Sequence, residues 1–240
     1  MHFDQPLQQG KLIRRYKRFL ADIELSNGEQ LTIHCPNTGS MKNCQEAGAR
    51  VWFTDSGNEK RKYPCTWQFI EIDSRYLVGI NTNLANKLAV EAIAQGWIAA
   101  LDSYTSLATE VPYGEQRSRI DILLDNPEKE NSVPCYIEVK NVSLYIEQGL
   151  GIFPDSVTAR GQKHLQELMH MKSKGCRAVL LFCVQHQAIQ RVSPADDIDP
   201  EYSRLLRLAV DRGVEVLVWG VNFDVDNHSI ELSRELALVL

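Results

Sequence analysis

The sequence has no apolar run of about 18 residues or more, so it offers no candidate for a membrane-spanning helix. Its first residues, M-H-F-D-Q-P-L-Q-Q-G, lack the basic start and apolar stretch of a secretory signal. The expectation is a cytoplasmic protein with no membrane partner. Six cysteines, at 35, 44, 65, 135, 176 and 183, form no Cys-x-x-Cys pair and meet no histidine at zinc-binding spacing. Several lie in apolar, strand-like runs, where a thiol packs as a small core residue, so no disulfides are expected. There is no internal repeat, no low-complexity segment and no helix-turn-helix signature, which argues against operator-type reading of DNA. Nor is there an excess of positive charge, since 26 Lys and Arg face 31 Asp and Glu. The balance is uneven, with a net +2 over residues 1–84 and −7 over residues 85–240. A weakly basic half beside an acidic one can reflect a division of work between two domains, and it equally suits ordinary uneven charge.

With 240 residues and 44% hydrophobic content, the chain can fill one large core or two modest ones. Its organising stretch is Arg117 to Val142. Ile120, Ile122 and Leu124 alternate with Arg119, Asp121 and Leu123, and Ile137 and Val139 alternate with Glu138 and Lys140. Period-two alternation on both sides of N-P-E-K-E-N-S-V-P predicts two antiparallel strands joined by a polar loop. Glu138 and Lys140 then project from one face, with Val139 turned into the core. If Asp121 faces the same way on the neighbouring strand, an Asp, a Glu and a Lys converge. Two carboxylates make a hard-oxygen site suited to Mg²⁺ or Mn²⁺, and an adjacent ammonium can orient or deprotonate an attacking water. Because close carboxylates repel, neutralising either one should leave the metal-free protein as stable or more so. The competing reading is a solvated outer strand face. The arrangement resembles the PD-(D/E)XK nuclease superfamily, with Ile120 preceding Asp121 where that name has a proline.

Upstream, K-L-I-R-R-Y-K-R at 11–18 holds five cations in eight positions. F-L-A-D-I-E-L, S-N-G-E and Q-L-T-I-H-C then read as strand, Asn-Gly hairpin and strand. Val51–Thr54, Cys65–Ile72 and Tyr76–Ile80 add further strands. About five short strands predict a small barrel, most simply an OB-fold over residues 1–82. Such barrels bind single strands through basic and aromatic side chains. Arg14, Arg15, Lys17 and Arg18 are candidate phosphate contacts; Tyr16, Trp52, Tyr63 and Trp67 are candidate stackers or core, with core the preferred reading for Trp52 and Phe69. Asn37, Thr38 and Ser40 of P-N-T-G-S-M either position a phosphate backbone or form a self-bonded turn.

Asn81–Asn86 reads as the junction to a second domain, 83–240. Leu84, Leu88, Ile93 and Trp97 have helical spacing, with Gly96 near the end of the helix and Glu91 in its middle. Leu107–Val111 is a short strand before the central hairpin. Residues 143–155 read as a loop, closed by Pro154 and a helix cap at Asp155 or Ser156. The helix after it puts Arg160 and His164 on one face, either as phosphate or site-orienting groups or as a face paired with Glu167. A buried strand at Ala178–Val184, a helix, an apolar strand and a tail with a last hairpin follow. The order αβββαβ matches the PD-(D/E)XK core. Glu110 competes with Glu91 as a third acidic group, and Arg119 is structural or a phosphate contact.

Taken end to end, the chain resembles the bacterial sugar fermentation stimulation protein A family. The carrying residues are H-C-P-N-T-G-S-M at 34–41, R-S-R-I-D at 117–121, I-E-V-K-N-V at 137–142 and F-P-D-S-V-T-A-R-G-Q-K-H-L at 153–165. The resemblance implies a DNA-binding protein largely without sequence preference, an OB-like domain joined to a nuclease-like one, and a regulatory link to maltose metabolism. It implies catalytic and metal positions at Asp121, Glu138 and Lys140, with Glu91 as the acidic residue of the first helix. His164 joins the catalytic group and Arg160 the DNA contacts. A Mg²⁺-dependent phosphodiesterase on DNA, with RNA not excluded, is the first functional expectation. A non-enzymatic DNA-binding regulator that keeps the nuclease fold is the alternative.

Overall fold

The computed structural model describes residues 1–115 and 118–240. Arg117, which begins the R-S-R-I-D motif, therefore lies outside the described residues. The first half contains β1 (Gln8–Tyr16), β2 (Leu20–Glu24), β3 (Gln30–His34), β4 (Arg50–Asp55), β5 (Cys65–Ile72) and β6 (Tyr76–Gly79). Their order is β3-β2-β1-β4-β5-β6, and a parallel contact between β3 and β5 closes β1–β5 into an OB barrel. Register shifts at Leu12/Arg14 in β1 and Trp52/Phe53 in β4 supply the bends that closure needs. Leu12, Ile23, Ile33, Phe53, Trp67 and Ile70 fill the interior. Trp67 is therefore core and offers no stacking face; its indole donates to the Phe69 carbonyl at 2.8 Å, so its burial leaves no donor unpaired. Trp52 and Phe69 are buried as expected, but they pack outside the barrel against the second half.

The cationic 11–18 stretch is the end of β1 plus the turn into β2. The β2–β3 turn is wider than the two residues that Asn-Gly suggests. Leu25 N–H bonds the Glu29 carbonyl and Gly28 N–H the Leu25 carbonyl. Gly28 alone in this turn takes a left-handed φ (+84°), and the Asn27 side chain instead accepts from Glu29 N–H.

The second half opens with α1 (Leu84–Ala94), which ends before Gly96 at φ +70°. Trp97 lies beyond the helix and is exposed, so the last step of the sequence periodicity does not hold. Next come β7 (Ser106–Tyr113), β8 (Ser118–Asp125), β9 (Cys135–Val142), β10 (Leu144–Tyr145), β11 (Leu150–Phe153) and α2 (Ala159–Ser173). They are followed by β12 (Arg177–Val184), β13 (Arg191–Pro194), α3 (Pro200–Asp211), β14 (Glu215–Asp224), β15 (Ser229–Glu235) and β16 (Ala237–Leu238). The main sheet runs β15-β14-β12-β9-β8-β7, with β9, β12 and β14 parallel. Leu88 of α1 packs with Ile137, Val139 and Leu181, while Leu165 and Leu206, from α2 and α3, pack with Leu180 and Phe182. The continuous apolar run of β12 follows from being covered on both faces.

Two readings need correction. Residues 143–155 are not a plain loop: β10 and β11 pair, and β11, β13 and β16 extend them into a second, four-stranded sheet. Strands of two and four residues carry too little period to be read from sequence. The cap of α2 is neither Asp155 nor Ser156 but Thr158, whose hydroxyl accepts from Gly161 N–H at 3.0 Å. All six cysteines are free thiols, and no helix among the described residues is long and apolar enough to cross a membrane.

The barrel is sewn to the second half along β6. Gly79 N–H donates to the Gln185 carbonyl at 2.8 Å, and Gln187 N–H donates to the Leu77 carbonyl at 3.0 Å. The Gln187 side chain accepts from Leu77 N–H at 2.7 Å, so the edge of β6 is covered. Gly79 leaves no room, since a Cβ there would overlap Gln185 Oε1 and stand 2.8 Å from the Gln185 Cβ. Gly79→Ala should therefore destabilise the protein by about 1–3 kcal/mol, the usual cost of overpacking. Urea unfolding checks this, and an unchanged midpoint would show that the seam yields freely.

Candidate metal-dependent site

Among the described residues, strands β8 and β9 pair at only three positions, Ile122↔Ile137, Leu123↔Tyr136 and Leu124↔Cys135. Beyond them no ladder joins the described residues of the two strands, and Asp121 and Glu138 stand at this opening. The Val139 N–H, which a continuing ladder would satisfy, donates instead to Asp121 Oδ2 at 2.7 Å. Asn86 of α1 donates to Asp121 Oδ1 at 2.8 Å. Asp121 is thus oriented from a helix and from the partner strand. On its other side the β7–β8 register passes from Thr109↔Ile122 to Val111↔Ile120 without pairing Glu110, which sits at φ +55°. A left-handed non-glycine residue costs on the order of 1–3 kcal/mol and concentrates at functional sites. Strict alternation fails here: Ile122 packs with the α1-side core and Ile120 with the α2-side core. The chain crosses between layers at Asp121.

Glu138, 2% exposed, points toward α2. Its Oε1 accepts from Lys140 Nζ at 2.5 Å and also contacts His164 Nδ1. Lys140 Nζ lies 3.1 Å from the same His164 nitrogen, and Arg160 Nε reaches His164 Nε2 at 3.4 Å. The shared face expected for Arg160 and His164 is thus aimed at Glu138. Glu138 Oε2 is buried and has no hydrogen-bond partner among the described residues. Burial pushes the Glu138 carboxyl up, but the His164 hydrogen bond and the Lys140 charge outweigh it, and the carboxyl is held below its ordinary range. Asp121 moves the other way. Its burial and the nearby Glu138 raise it, against the lowering effect of the Val139 and Asn86 hydrogen bonds.

A pocket of about 410 Å³ opens beside Asp121, lined in part by Asn86, Glu91, Thr109 and Glu110. Glu91 carries a 2.6 Å ion pair to the Met1 amino group. Among the described residues, no group of three or more His, Cys, Asp and Glu side chains is placed to hold a metal. The carboxylates of Asp121 and Glu138 remain, with one oxygen of Glu138 bare. Mg²⁺ is commonly held by one or two carboxylates, with waters and substrate phosphate completing its shell, so this donor set fits it.

The other candidate residues are arranged as follows. Arg14 donates to Asp22 at 2.9 Å and stacks on Tyr16, whose hydroxyl also donates to Asp22. A guanidinium nitrogen of Arg15 donates to the carbonyls of Arg18, Asn37 and Gly39. Lys17, Arg18 and Thr38 are exposed. Asn37 Oδ1 accepts from Gly39 N–H, the self-bonded turn. Ser40 donates from both N–H and Oγ to Asp155 Oδ2 at 3.1 Å, tying the barrel loop to the segment before α2. Arg119 is exposed and donates to the Glu110 carbonyl at 3.4 Å. Sequence reasoning missed Asn86 and Asp155, because each acts only across a tertiary contact.

Two family models match the chain: "SfsA N-terminal OB domain" over residues 13–80 and "Sugar fermentation stimulation protein RE domain" over residues 83–227. The chain belongs to the sugar fermentation stimulation protein family. A member from Shewanella baltica (strain OS195) is 57% identical over 219 residues, 91% of this chain and 92% of its own. One from Shewanella pealeana is 54% identical over 222 residues, 92% and 93% of the two chains. The fold also matches a solved family structure, Pyrococcus furiosus SfsA in complex with Ca²⁺, with a TM-score of 0.86 at 23% identity. That match covers 100% of this chain and 98% of the other.

The expectation that both carboxylates repel in the metal-free protein changes for Glu138, which is the anchor of Lys140 and His164. Glu138→Gln breaks a buried ion pair and should lower stability at neutral pH by about 3–5 kcal/mol. A depressed carboxyl stabilises the fold above its ordinary value of 4.5, and that contribution fades as pH falls through the depressed value. The deficit of Glu138→Gln should therefore shrink only below about pH 4.5. Asp121 has the opposite sign, and Asp121→Asn should melt at or above wild type at neutral pH. Metal-free thermal melts across pH decide this; equal melting of the two variants would contradict it.

Proposed function

We propose that this protein is a Mg²⁺- or Mn²⁺-dependent phosphodiesterase acting on DNA, largely without sequence preference. The observation that carries the reading is the buried Oε2 of Glu138, without a hydrogen-bond partner among the described residues. Glu138 forms a cluster with Lys140 and His164, and its charge also raises the Asp121 carboxyl. A buried carboxylate oxygen without a donor is costly unless a cation meets it. When bound, the metal supplies Lewis-acid polarisation of a phosphoryl oxygen and a more acidic water. Asp121 and Glu138 would hold it. The Ca²⁺ complex of the Pyrococcus furiosus relative supports a divalent-cation site in this family.

The chain's own residues do the rest. Lys140, carried on the same strand face as Glu138, offers its ammonium to the attacking water and to charge developing on the phosphoryl group. His164 keeps Glu138 and Lys140 in register. Arg160, exposed one helical turn before His164, is placed to take a phosphate oxygen. Asn86 and the Val139 amide fix the Asp121 carboxylate, so its geometry does not wait for metal. Glu91 and Glu110 both border the Asp121 pocket, and either can join as a third carboxylate. A non-enzymatic, DNA-binding regulator is the second reading. It is favoured by the close Lys140–Glu138 ion pair, which occupies the ammonium that catalysis would need.

The test is release of acid-soluble fragments from single- and double-stranded DNA, with RNA in parallel, in Mg²⁺, Mn²⁺ or EDTA. Wild type should cleave only with metal, and Asp121→Ala should be inactive. Lys140→Met should lower the single-turnover rate about 10²–10³-fold while DNA affinity holds, because one ammonium matters more to the transition state than to a many-contact complex. Full activity in Asp121→Ala, or no metal-dependent cleavage of any nucleic acid, would remove the enzymatic reading.

A further inference from the structure

Lys17, Arg18 and Phe19 turn β1 into β2 and are closed by the Tyr16–Leu20 pair. Lys17 and Arg18 stand at φ +50° and +63°. Tight hairpin turns usually put Gly, Asn or Asp at such positions, because a Cβ crowds the left-handed backbone. Here two long cationic side chains occupy them. The turn is braced from behind. Arg15 donates to the Arg18 carbonyl at 2.8 Å and to the Asn37 and Gly39 carbonyls at 2.9 and 3.0 Å. Cys35 N–H donates to the Phe19 carbonyl at 2.8 Å.

On this fixed backbone the Phe19 side chain is 46% exposed, alone among the barrel's large apolar side chains. The tyrosines that sequence suggested as stackers are already covered. Arg14 lies over Tyr16 at 5.0 Å and Lys62 over Tyr63 at 5.5 Å. Among the described residues Phe19 has no ring or cation partner of this kind. The two residues before it in the turn, Lys17 and Arg18, are exposed cations, and the braced 36–41 loop is bonded through Ser40 to Asp155, three residues before the Thr158 cap of α2.

We propose that Phe19 is a base-stacking residue for single-stranded DNA: an unpaired base lies on its ring while Lys17 and Arg18 meet the flanking phosphates. Aromatic stacking accepts any base, which fits binding without sequence preference. A duplex presents no free base face, so the turn favours single strands. The inference rests on the DNA reading above and names the form of DNA this end of the barrel takes.

Fluorescence anisotropy of the full chain in EDTA, with a labelled oligothymidylate and with a labelled duplex, tests it. Phe19→Ala should weaken oligothymidylate binding about 5- to 150-fold, the range for one lost base stack, and leave the salt slope unchanged. Duplex binding should hold, and Phe19→Trp should restore single-strand affinity. Lys17→Gln with Arg18→Gln should weaken both DNAs and flatten the salt slope by roughly 1.4–1.8. Wild-type affinity of Phe19→Ala for oligothymidylate, or equal losses on both DNAs, would overturn the stacking role even if the Lys17/Arg18 variant behaves as stated. If wild type binds neither DNA, the DNA reading falls and the stacking role with it.

Discussion

The ladder between β8 and β9 stops after three residue pairs, and the backbone amide of Val139 is left to find another acceptor. An unpaired amide at this depth would cost about 1–3 kcal/mol, so the opening persists only because Asp121 turns its carboxylate into the gap. That single bond ties the shape of the sheet to the position of an acid. It also works against the burial that raises the Asp121 carboxyl. From the other strand Glu138 enters the same opening with the opposite electrostatics, stabilised as an anion by His164 and Lys140. Two carboxyls whose surroundings push them apart are a recurring mark of sites that move protons or hold cations.

The barrel is part of this arrangement through two seams. Along β6 it is joined by backbone pairing to residues 185–187. At the 36–41 loop it is joined by Ser40 to Asp155, just ahead of the helix that carries Arg160 and His164. Arg15 holds that loop through the Asn37 and Gly39 carbonyls, while Lys17 and Arg18 stay exposed. The cations of the 11–18 stretch therefore divide their work. Arg14 and Arg15 organise the surface, and the two turn residues are available to a polyanion.

Much of this was legible in the sequence, for identifiable reasons. The alternation of Ile137 and Val139 with Glu138 and Lys140 is enforced by burial of one face, so it reads directly as a strand. The apolar run of 178–184 reflects helices on both sides. The order of elements followed from turn residues and helical spacing. What the sequence did not display was tertiary. The crossing of the chain between layers at Asp121 breaks the very alternation that pointed to it, and no local pattern announces it. Asn86 is an ordinary helix-surface amide until it meets Asp121. Asp155 had the chemistry of a cap, but a neighbouring Thr took that role and Ser40 claimed its carboxylate. The β10–β11 hairpin is too short to show a period.

In the proposed function, the buried Oε2 of Glu138 and the carboxylate of Asp121 share a divalent cation. The most direct measurement is anomalous diffraction from crystals of the full chain grown with Mn²⁺. A peak about 2.0–2.3 Å from Glu138 Oε2 and an Asp121 oxygen, completed by waters, is the predicted result. A Mn²⁺ peak elsewhere on the chain, with Glu138 Oε2 still bare, would contradict it.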